Sequence, residues 1–329
     1  MNVLVTGAAG YIGSHAVRCL ERAGHRPVAL DNLFRGHRDA VPAQVPFVQL
    51  DVRQTEEVQK VLEKHAIECV MHFAALAYVG ESVDAPLLYY DNNTRGTLSL
   101  LQAVARTQVK RFVFSSTCAT YGEPAEMPIH EDMPQRPINP YGWSKLFSEH
   151  MLRDHAATDP AFGFTALRYF NVAGCAADGS LGEDHSPETH LIPVILKTAL
   201  GRRPAVTIFG EDYPTPDGTC IRDYVHVEDL VDAHVHAMQA LRPGHHAFYN
   251  LGIGRGHSVK EIVEAARAVV GRPFRVDRGP RRPGDPPSLY ADASKIAREL
   301  GWRARSTDVR AIIESAWRWF EKHPEGYRG

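Results

Sequence analysis

The chain has 329 residues, more than one core usually accommodates, so two lobes or one domain with a large insertion is expected. With 44% hydrophobic and 23% charged residues and a formal net charge of −2, it reads as a globular protein. It has no global basic field to hold nucleic acid or an anionic membrane. Cys19, Cys69, Cys118, Cys175 and Cys220 are scattered, odd in number and free of any C-x-x-C pair, which argues for free thiols in a reducing compartment.

The first element expected is a buried strand, "NVLVT" (2–6). It leaves no room for a signal peptide, and no run of about 18 apolar residues follows anywhere, so no membrane span and a cytoplasmic location are expected. "TGAAGYIG" then sets Gly7, Gly10 and Gly13 between that strand and a helical pattern near 12–24. Glycines let a backbone approach a pyrophosphate closely, and the helix N-terminus offers free N–H groups and a positive dipole end. A turn that needs glycine only for packing is the plainer alternative, disfavoured by the strand–turn–helix context. "PVAL" (27–30) is a second strand ending at Asp31, 18 residues beyond Gly13. A carboxylate there accepts from both ribose hydroxyls and repels a 2′-phosphate, so NAD is expected over NADP. Arg35 and Arg38, close by, are the residues that would favour a 2′-phosphate instead.

"PFVQL" (46–50), "CVMHFA" (69–74), "RFVFSS" (111–116) and "FTALRYFN" (164–171) continue the strands, with helical patterns near 55–65, 86–107 and 141–156 between them. That alternation predicts an α/β fold with a Rossmann-like, doubly wound parallel sheet covered on both faces. Asp51, ending the third strand, either reaches an adenine amine or caps the next helix. "FSSTCATYG" (114–122) puts Ser115, Ser116 and Thr117 at the carboxyl edge of the sheet, where ligands of such folds bind. One sheet position further, "NPYGWSK" (139–145) places Tyr141 and Lys145 one turn apart on one helix face. A free phenol titrates near ~10, too high for a base at neutral pH. An adjacent ammonium and an oxidised nicotinamide would both favour the phenolate, so the pair reads as a tyrosine base beside NAD.

After about residue 172 the character changes to long polar stretches, "VAGCAADGSLGEDHSPETH" and "FGEDYPTPDGTCIRD" (209–223), followed by helical and strand-like runs at 225–241 and 247–252. Loops this long inside a compact protein are usually functional. The expected division interleaves two lobes: 1–171 plus roughly 224–252, and roughly 172–223 plus 253–329. The 17 histidines invite a metal reading. His234 and His236 fall on different helix faces at their i, i+2 spacing. "EDHSPETH" (183–190) is richer in ligands but reads as a solvated polar loop, and no metal is expected.

On these residues the chain resembles the extended short-chain dehydrogenase/reductase superfamily and, within it, the UDP-glucose 4-epimerase family. The resemblance runs almost end to end, through "VTGAAGYIGSH", "HFAALAYVGES", "YYDNNTRGTL", "NPYGWSK", "LRYFNVAG" and "RRPGDPPSLYADASKIARELGW"; "DYPTPDGTCIRDYVHV" is specific to the epimerases. It implies interconversion of UDP-glucose and UDP-galactose: Tyr141 takes the 4-hydroxyl proton, Thr117 bonds the 4-oxygen, and Lys145 holds the nicotinamide ribose and lowers the tyrosine pKa. For NAD it implies Gly7, Gly10, Tyr11, Ile12, Gly13, Asp31, Asn32, Asp51, Val52, Phe73, Ala74, Asn92, Ser115, Tyr169 and Phe170. Ala77 departs from members that place a lysine near the cofactor, which implies looser retention of NAD. The second lobe is implied to hold the UDP-sugar through Asn171, His190, Leu191, Ile208, Phe209, Arg222, Tyr224, Arg282 and Asp285, with Leu289 gating the pocket around the sugar 2-substituent.

The resemblance also implies a homodimer, in which the helices near 86–107 and 141–156 pack on their copies as a four-helix bundle through residues such as Leu98, Leu101, Val104, Leu146 and Met151. A dehydratase or decarboxylase is the main rival activity, but these need an acid after Thr117, where this chain has Cys118 and Ala119. A non-catalytic NAD sensor is a further alternative, although such proteins often lose the tyrosine or the lysine, and both are present. Epimerases for UDP-N-acetylglucosamine or UDP-pentoses remain open as related specificities.

Overall fold

The computed structural model describes residues 1–282 and 285–327. The first half runs β1 (Asn2–Thr6), α1 (Tyr11–Arg22), β2 (Arg26–Asp31), β3 (Phe47–Gln49), α2 (Thr55–Lys64), β4 (Cys69–His72), α3 (Val79–Asp84), α4 (Pro86–Tyr89), α5 (Gly96–Ala105), β5 (Arg111–Thr117), α6 (Pro140–Thr158) and β6 (Gly163–Tyr169). The second half runs β7 (Asn171–Ala173), α7 (Leu191–Ala199), β8 (Val206–Phe209), β9 (Ile221–His226), α8 (Val227–Ala240), β10 (His246–Leu251), β11 (Gly256–Ser258), α9 (Val259–Val270), β12 (Val276–Gly279), β13 (Ser288–Leu289), α10 (Ser294–Leu300) and α11 (Val309–Lys322).

Seven of these strands form one sheet in the order β10-β6-β5-β4-β1-β2-β3, every neighbour parallel. Successive side chains of a strand point to opposite faces, and each face here has its own apolar layer. Val3 and Val5 pack with α1 and α8 through Val17, Leu20, Leu230 and Val231. Leu4 packs on the other face with Leu62, Leu100 and Leu152 of α2, α5 and α6. The expected doubly wound sheet is therefore present. Its strand order reverses between β1 and β4, and in open parallel sheets the crevice at the carboxyl ends beside such a reversal is where ligands bind.

A smaller sheet centres on β9, flanked by β7 and β13 in parallel and β11 antiparallel, with β8 and β12 paired separately. Helices α7, α9 and α11 cover it through Ile195, Ile262, Ile313 and Trp319. Three local departures from the sequence reading matter. The helix expected at 86–107 is interrupted by a π-helical turn over Tyr90–Arg95. There the buried Asn93 side chain accepts from Leu76 N–H and donates to Leu76 O and Ser144 Oγ, and such turns recur at functional sites. The segment from 221 to 226 is a strand of the small sheet, and the helix starts only at Val227. Ile296 and Trp302 pack into the large-lobe core, so the C-terminal segment touches both lobes.

Candidate active site

The glycine turn sits at the reversal. Gly7 has φ +69 and abuts the end of β4: a Cβ there would lie 2.6 Å from Ala74 N, and a Cβ on Gly13 would collide with the Gly7 carbonyl. These two glycines are thus demanded by the turn itself. A Cβ on Gly10 would meet only Gly7 O, at 3.3 Å, so its outer face is open. No side chain caps α1 and no acid lies in its first turn, so its N-terminal N–H groups and dipole are free for an anion. Asp31 is buried at the end of β2, accepting Ala9 N–H at 2.9 Å and Leu33 N–H at 2.8 Å. Burial raises its pKa while the two N–H groups oppose the shift. Arg35 pairs with Glu81 and lies 4.4 Å over the Tyr78 ring; Arg38 donates to Val41 O and covers Phe47. Both arginines are engaged away from a 2′-phosphate.

Around this turn, Asp51 accepts from Arg53 Nε at 2.9 Å, Arg53 Nη2 at 2.7 Å and Asn32 Nδ2 at 3.1 Å, and the arginine draws its pKa down to about 2. Gln54, not Asp51, is the cap of α2. Val52 is in the core, Phe73 stacks 4.8 Å from the His234 ring, Tyr11 donates to Gly174 O, and Asn92 donates to Asn93 Oδ1. Ile12 is half-buried on α1.

Helix α6 begins where Asn139 caps it, accepting Gly142 N–H at 2.8 Å, with Pro140 in the first turn. Tyr141 and Lys145 are both buried, at 9% and 3% exposure. Lys145 Nζ donates to Ser115 O at 2.9 Å and stands 5.0 Å over the Phe114 ring. The Ser115 hydroxyl bonds the Tyr169 hydroxyl. Burial pushes the Tyr141 phenol up to about 12, against the opposing pull of the Thr117 hydroxyl, and pushes Lys145 down to about 7. Lys145 is turned to the Ser115 carbonyl.

Behind the pair lies a cluster the sequence reading missed. Glu149, one turn beyond Lys145, binds Arg168 of β6 in a fully buried bidentate pair at 2.9 and 2.7 Å. Ser116 and Gln135 complete the carboxylate's bonds, and Tyr121 links Arg168 to Asn250. Glu149 is the one charge that raises the Lys145 pKa. Its signal was an acid continuing the i, i+4 series from Tyr141, but its partner lies on another element.

The small sheet gathers most residues expected to hold the nucleotide sugar. Asn171 is in register with Tyr224, and Leu289 with Arg222. Arg222 pairs with Asp285, and Arg282 lies 4.0 Å over the Phe209 ring beside Ile208 on β8. Phe170 packs with Tyr121, Ile129 and Ala291, joined at the edge by Leu289 and by Cys118, the residue next to Thr117. His190 is elsewhere: it starts α7, its Nδ1 2.6 Å from Glu183 Oε1, and Leu191 packs on the helical core. The 183–190 segment is not the solvated loop expected, because Glu183 and Glu188 are buried.

A crevice that can seat a dinucleotide, with a tyrosine–lysine helix on one wall and a separate sheet facing it, defines a dinucleotide-dependent oxidoreductase scaffold of the extended short-chain type. The chain belongs to the NAD dependent epimerase/dehydratase family, whose model matches residues 3–252. It is 51% identical over 330 residues to the UDP-glucose 4-epimerase of Lactobacillus helveticus, across 99% of both chains. A crystal structure of a UDP-glucose 4-epimerase superposes with a TM-score of 0.96 at 46% identity over 100% of both chains. The UDP-glucose 4-epimerase of Bifidobacterium longum, in complex with NAD+ and UDP, superposes with a TM-score of 0.95 at 40% identity, over 99% of this chain and 100% of that one. This chain is an NAD-dependent epimerase. Among the described residues no helix is long and apolar enough to cross a membrane.

Proposed function

We propose that the chain interconverts UDP-glucose and UDP-galactose by oxidation at C4, rotation of the 4-keto sugar and re-reduction on its other face. The observation that carries this reading is the buried Tyr141–Thr117 contact at the carboxyl end of β5, with no acid at Cys118 or Ala119 to divert the 4-keto sugar into elimination. NAD fits the crevice: the Gly10 face and the uncapped start of α1 suit its pyrophosphate, and Asp31 its ribose hydroxyls. When bound, it accepts the C4 hydride and gives it back. Tyr141 takes the proton of the 4-hydroxyl, and Thr117 orients the 4-oxygen. Burial raises the phenol's pKa, and cationic charge beside it, from Lys145 and from an oxidised nicotinamide were it bound, would favour the phenolate. Lys145 and the Ser115–Tyr169 pair hold the ribose side, with Tyr11, Ile12, Asn32, Asp51, Val52, Phe73, Ala74, Asn92 and Phe170 completing the cofactor wall.

Arg222 and Arg282 supply planar donors to the sugar's pyrophosphate. Asn171, Tyr224, Ile208, Phe209 and Leu191 shape the nucleoside end, and Asp285 accepts from its ribose. The lobes divide as 1–171 with roughly 224–252 for NAD, and the remainder for UDP-sugar. The protein works as a homodimer in a reducing cytoplasm, with helices of both protomers forming a four-helix bundle. Leu87, Leu88, Leu98, Trp143 and Phe147 are exposed on α4, α5 and α6 and suit that contact. Leu101, Val104 and Leu146, expected there from sequence, are buried within the protomer and cannot serve it. The test is incubation with UDP-glucose: UDP-galactose at equilibrium supports the reading, and a 4-keto-6-deoxy product or no turnover overturns it.

A further inference from the structure

The segment between β7 and α7 folds four side chains onto one point. One ligand atom each of Glu183, His185, Glu188 and His190 lies within 4.8 Å of all the others. Glu183 and Glu188 are 3% and 8% exposed. Buried polar atoms in folded proteins almost always find partners. Here Glu183 Oε1, His185 Nδ1, Glu188 Oε2 and His190 Nδ1 are buried and make no well-formed hydrogen bond among the described residues. They approach one another without aligning: His185 Nδ1 is 3.2 Å from Glu183 Oε1 and 3.9 Å from Glu188 Oε2, and His190 Nδ1 is 2.6 Å from Glu183 Oε1. Glu188 Oε1 is already taken by the N–H groups of Thr189 and His190, both at 2.9 Å, which leaves Oε2 for the common point. Four ligand atoms gathered at one point, two of them on imidazoles and two on carboxylates, are what a cation arranges.

We propose that Glu183, His185, Glu188 and His190 bind one divalent transition-metal ion, zinc by ligand type. Ligand atoms about 2.0–2.1 Å from a tetrahedral zinc sit about 3.4 Å from one another; the His185 separations of 3.2 and 3.9 Å bracket that value, in a group whose atoms all lie within 4.8 Å of one another. Only the 2.6 Å approach is shorter. Two imidazole nitrogens exclude magnesium and calcium, which take all-oxygen shells. Two carboxylates bring two negative charges to the point, matching a dication that takes each imidazole through a free nitrogen. Lys197 lies behind, 4.0 Å from Glu188 Oε2 and 3.9 Å from Asp184 Oδ1, outside the ligand set.

Four protein ligands leave no open position, so the ion is structural. Its place gives it a task. The His185 ring meets the edges of Tyr11 and Tyr78 at 6.2 and 5.8 Å, and His190 starts α7. The ion staples the small-lobe loop to the helix that follows it and against the glycine turn of the large lobe.

The test uses the full-length protein purified without chelator, then stripped with chelator and reloaded with zinc or cobalt(II) alone. Expected are about one equivalent of zinc per chain by elemental analysis, the intense visible bands of four-coordinate cobalt, and a Tm several degrees above that of stripped protein. His185→Ala and Glu183→Gln should each weaken metal retention at least about a hundredfold. If a variant fails to fold, the wild-type cobalt spectrum and the Tm difference still decide. Metal below a tenth of an equivalent, roughly the background of a site of this kind, with no cobalt bands and no effect of zinc on Tm, overturns the proposal. Shared protons, not an ion, would then hold the four side chains together.

Discussion

Two buried charge clusters flank the crevice, and they are built on opposite logic. Behind α6, Glu149 and Arg168 close on each other, and Ser116, Gln135 and Tyr121 satisfy what remains. At the mouth, Glu183, Glu188, His185 and His190 leave four buried atoms facing one centre. A self-satisfied ion pair in a dry interior stiffens what it touches, here the strand and helix that aim Lys145. An unsatisfied set costs desolvation until something fills it. Burial of charge alone therefore does not tell scaffold from binding site; the state of the hydrogen bonds does.

The largest effect should come from the N-terminal end of α6, two turns before Glu149. Tyr141→Phe removes the titrating oxygen and leaves the Glu149–Arg168 pair intact. Turnover should fall by about 10²–10⁴-fold or more, with bound NAD and unfolding midpoint unchanged. Near-normal turnover would show that another group is the base. Glu149→Ala should do the reverse and strike stability first. It strands a guanidinium at 1% exposure, and breaking a buried pair from one side costs about 3–5 kcal/mol, readable by urea unfolding. Glu183→Gln in metal-stripped protein should cost clearly less, because Glu183 Oε1 has no aligned hydrogen bond to lose. Equal losses from the two would erase the contrast between the clusters.

Acid sharpens it further. His15, His72 and His234 are buried in the large lobe, and burial, with Lys145 adding to it at His72, holds their pKa values down to about 4, 3 and 4. Each stays neutral in the fold while the unfolded chain, near 6.5, takes up a proton. The unfolded state binds more protons below that value, so stability present above pH ~6.5 is lost as pH falls toward ~4, by up to about 1.4 kcal/mol per unit for each histidine. Unfolding free energies that do not fall between pH 7 and 4.5 would contradict these assignments. Thr6 and Thr97 bond the two nitrogens of His72, at 2.7 and 3.1 Å, so a neutral ring keeps a partner on each nitrogen.

The contrast also marks what a sequence can carry. The glycine turn, Asp31 and the Tyr141–Lys145 spacing are local features, set by residues within a turn or two of one another, and they were legible. Asn93 shapes the π-helical turn through Leu76 and Ser144, 17 and 51 residues away, and nothing in "YDNNTR" announces those partners. Glu149 meets Arg168 across two elements. Leu101 and Val104 read as an interface stripe because α5 is apolar on more than one face, and only the packed fold shows which face α2 covers. Glu183 and Glu188 read as solvated because burying two acids makes sense only once two histidines are seen to close on them.

The smallest effect expected is on specificity, where a wall of ordinary carbon atoms decides. Leu289 pairs in register with Arg222 on β9 and touches the cluster of Phe170, Tyr121 and Cys118 that backs Thr117. It is half-buried, so its side chain bounds a space and is not wholly absorbed by the core. Such a wall discriminates by volume, and one or a few carbons are worth only about 1–3 kcal/mol. A leucine should therefore favour UDP-glucose and UDP-galactose while still admitting the N-acetylated pair at a slow, measurable rate. Leu289→Tyr adds bulk and should suppress the N-acetyl activity about 10–200-fold relative to the hexose pair, the range that such a free energy spans. Leu289→Ser opens the wall and should raise it. Neither change touches Tyr141 or Thr117, so kcat for UDP-glucose should move far less than the ratio of kcat/KM values. Equal responses of both substrate pairs to both substitutions would place the gate on another residue of the Phe170 cluster.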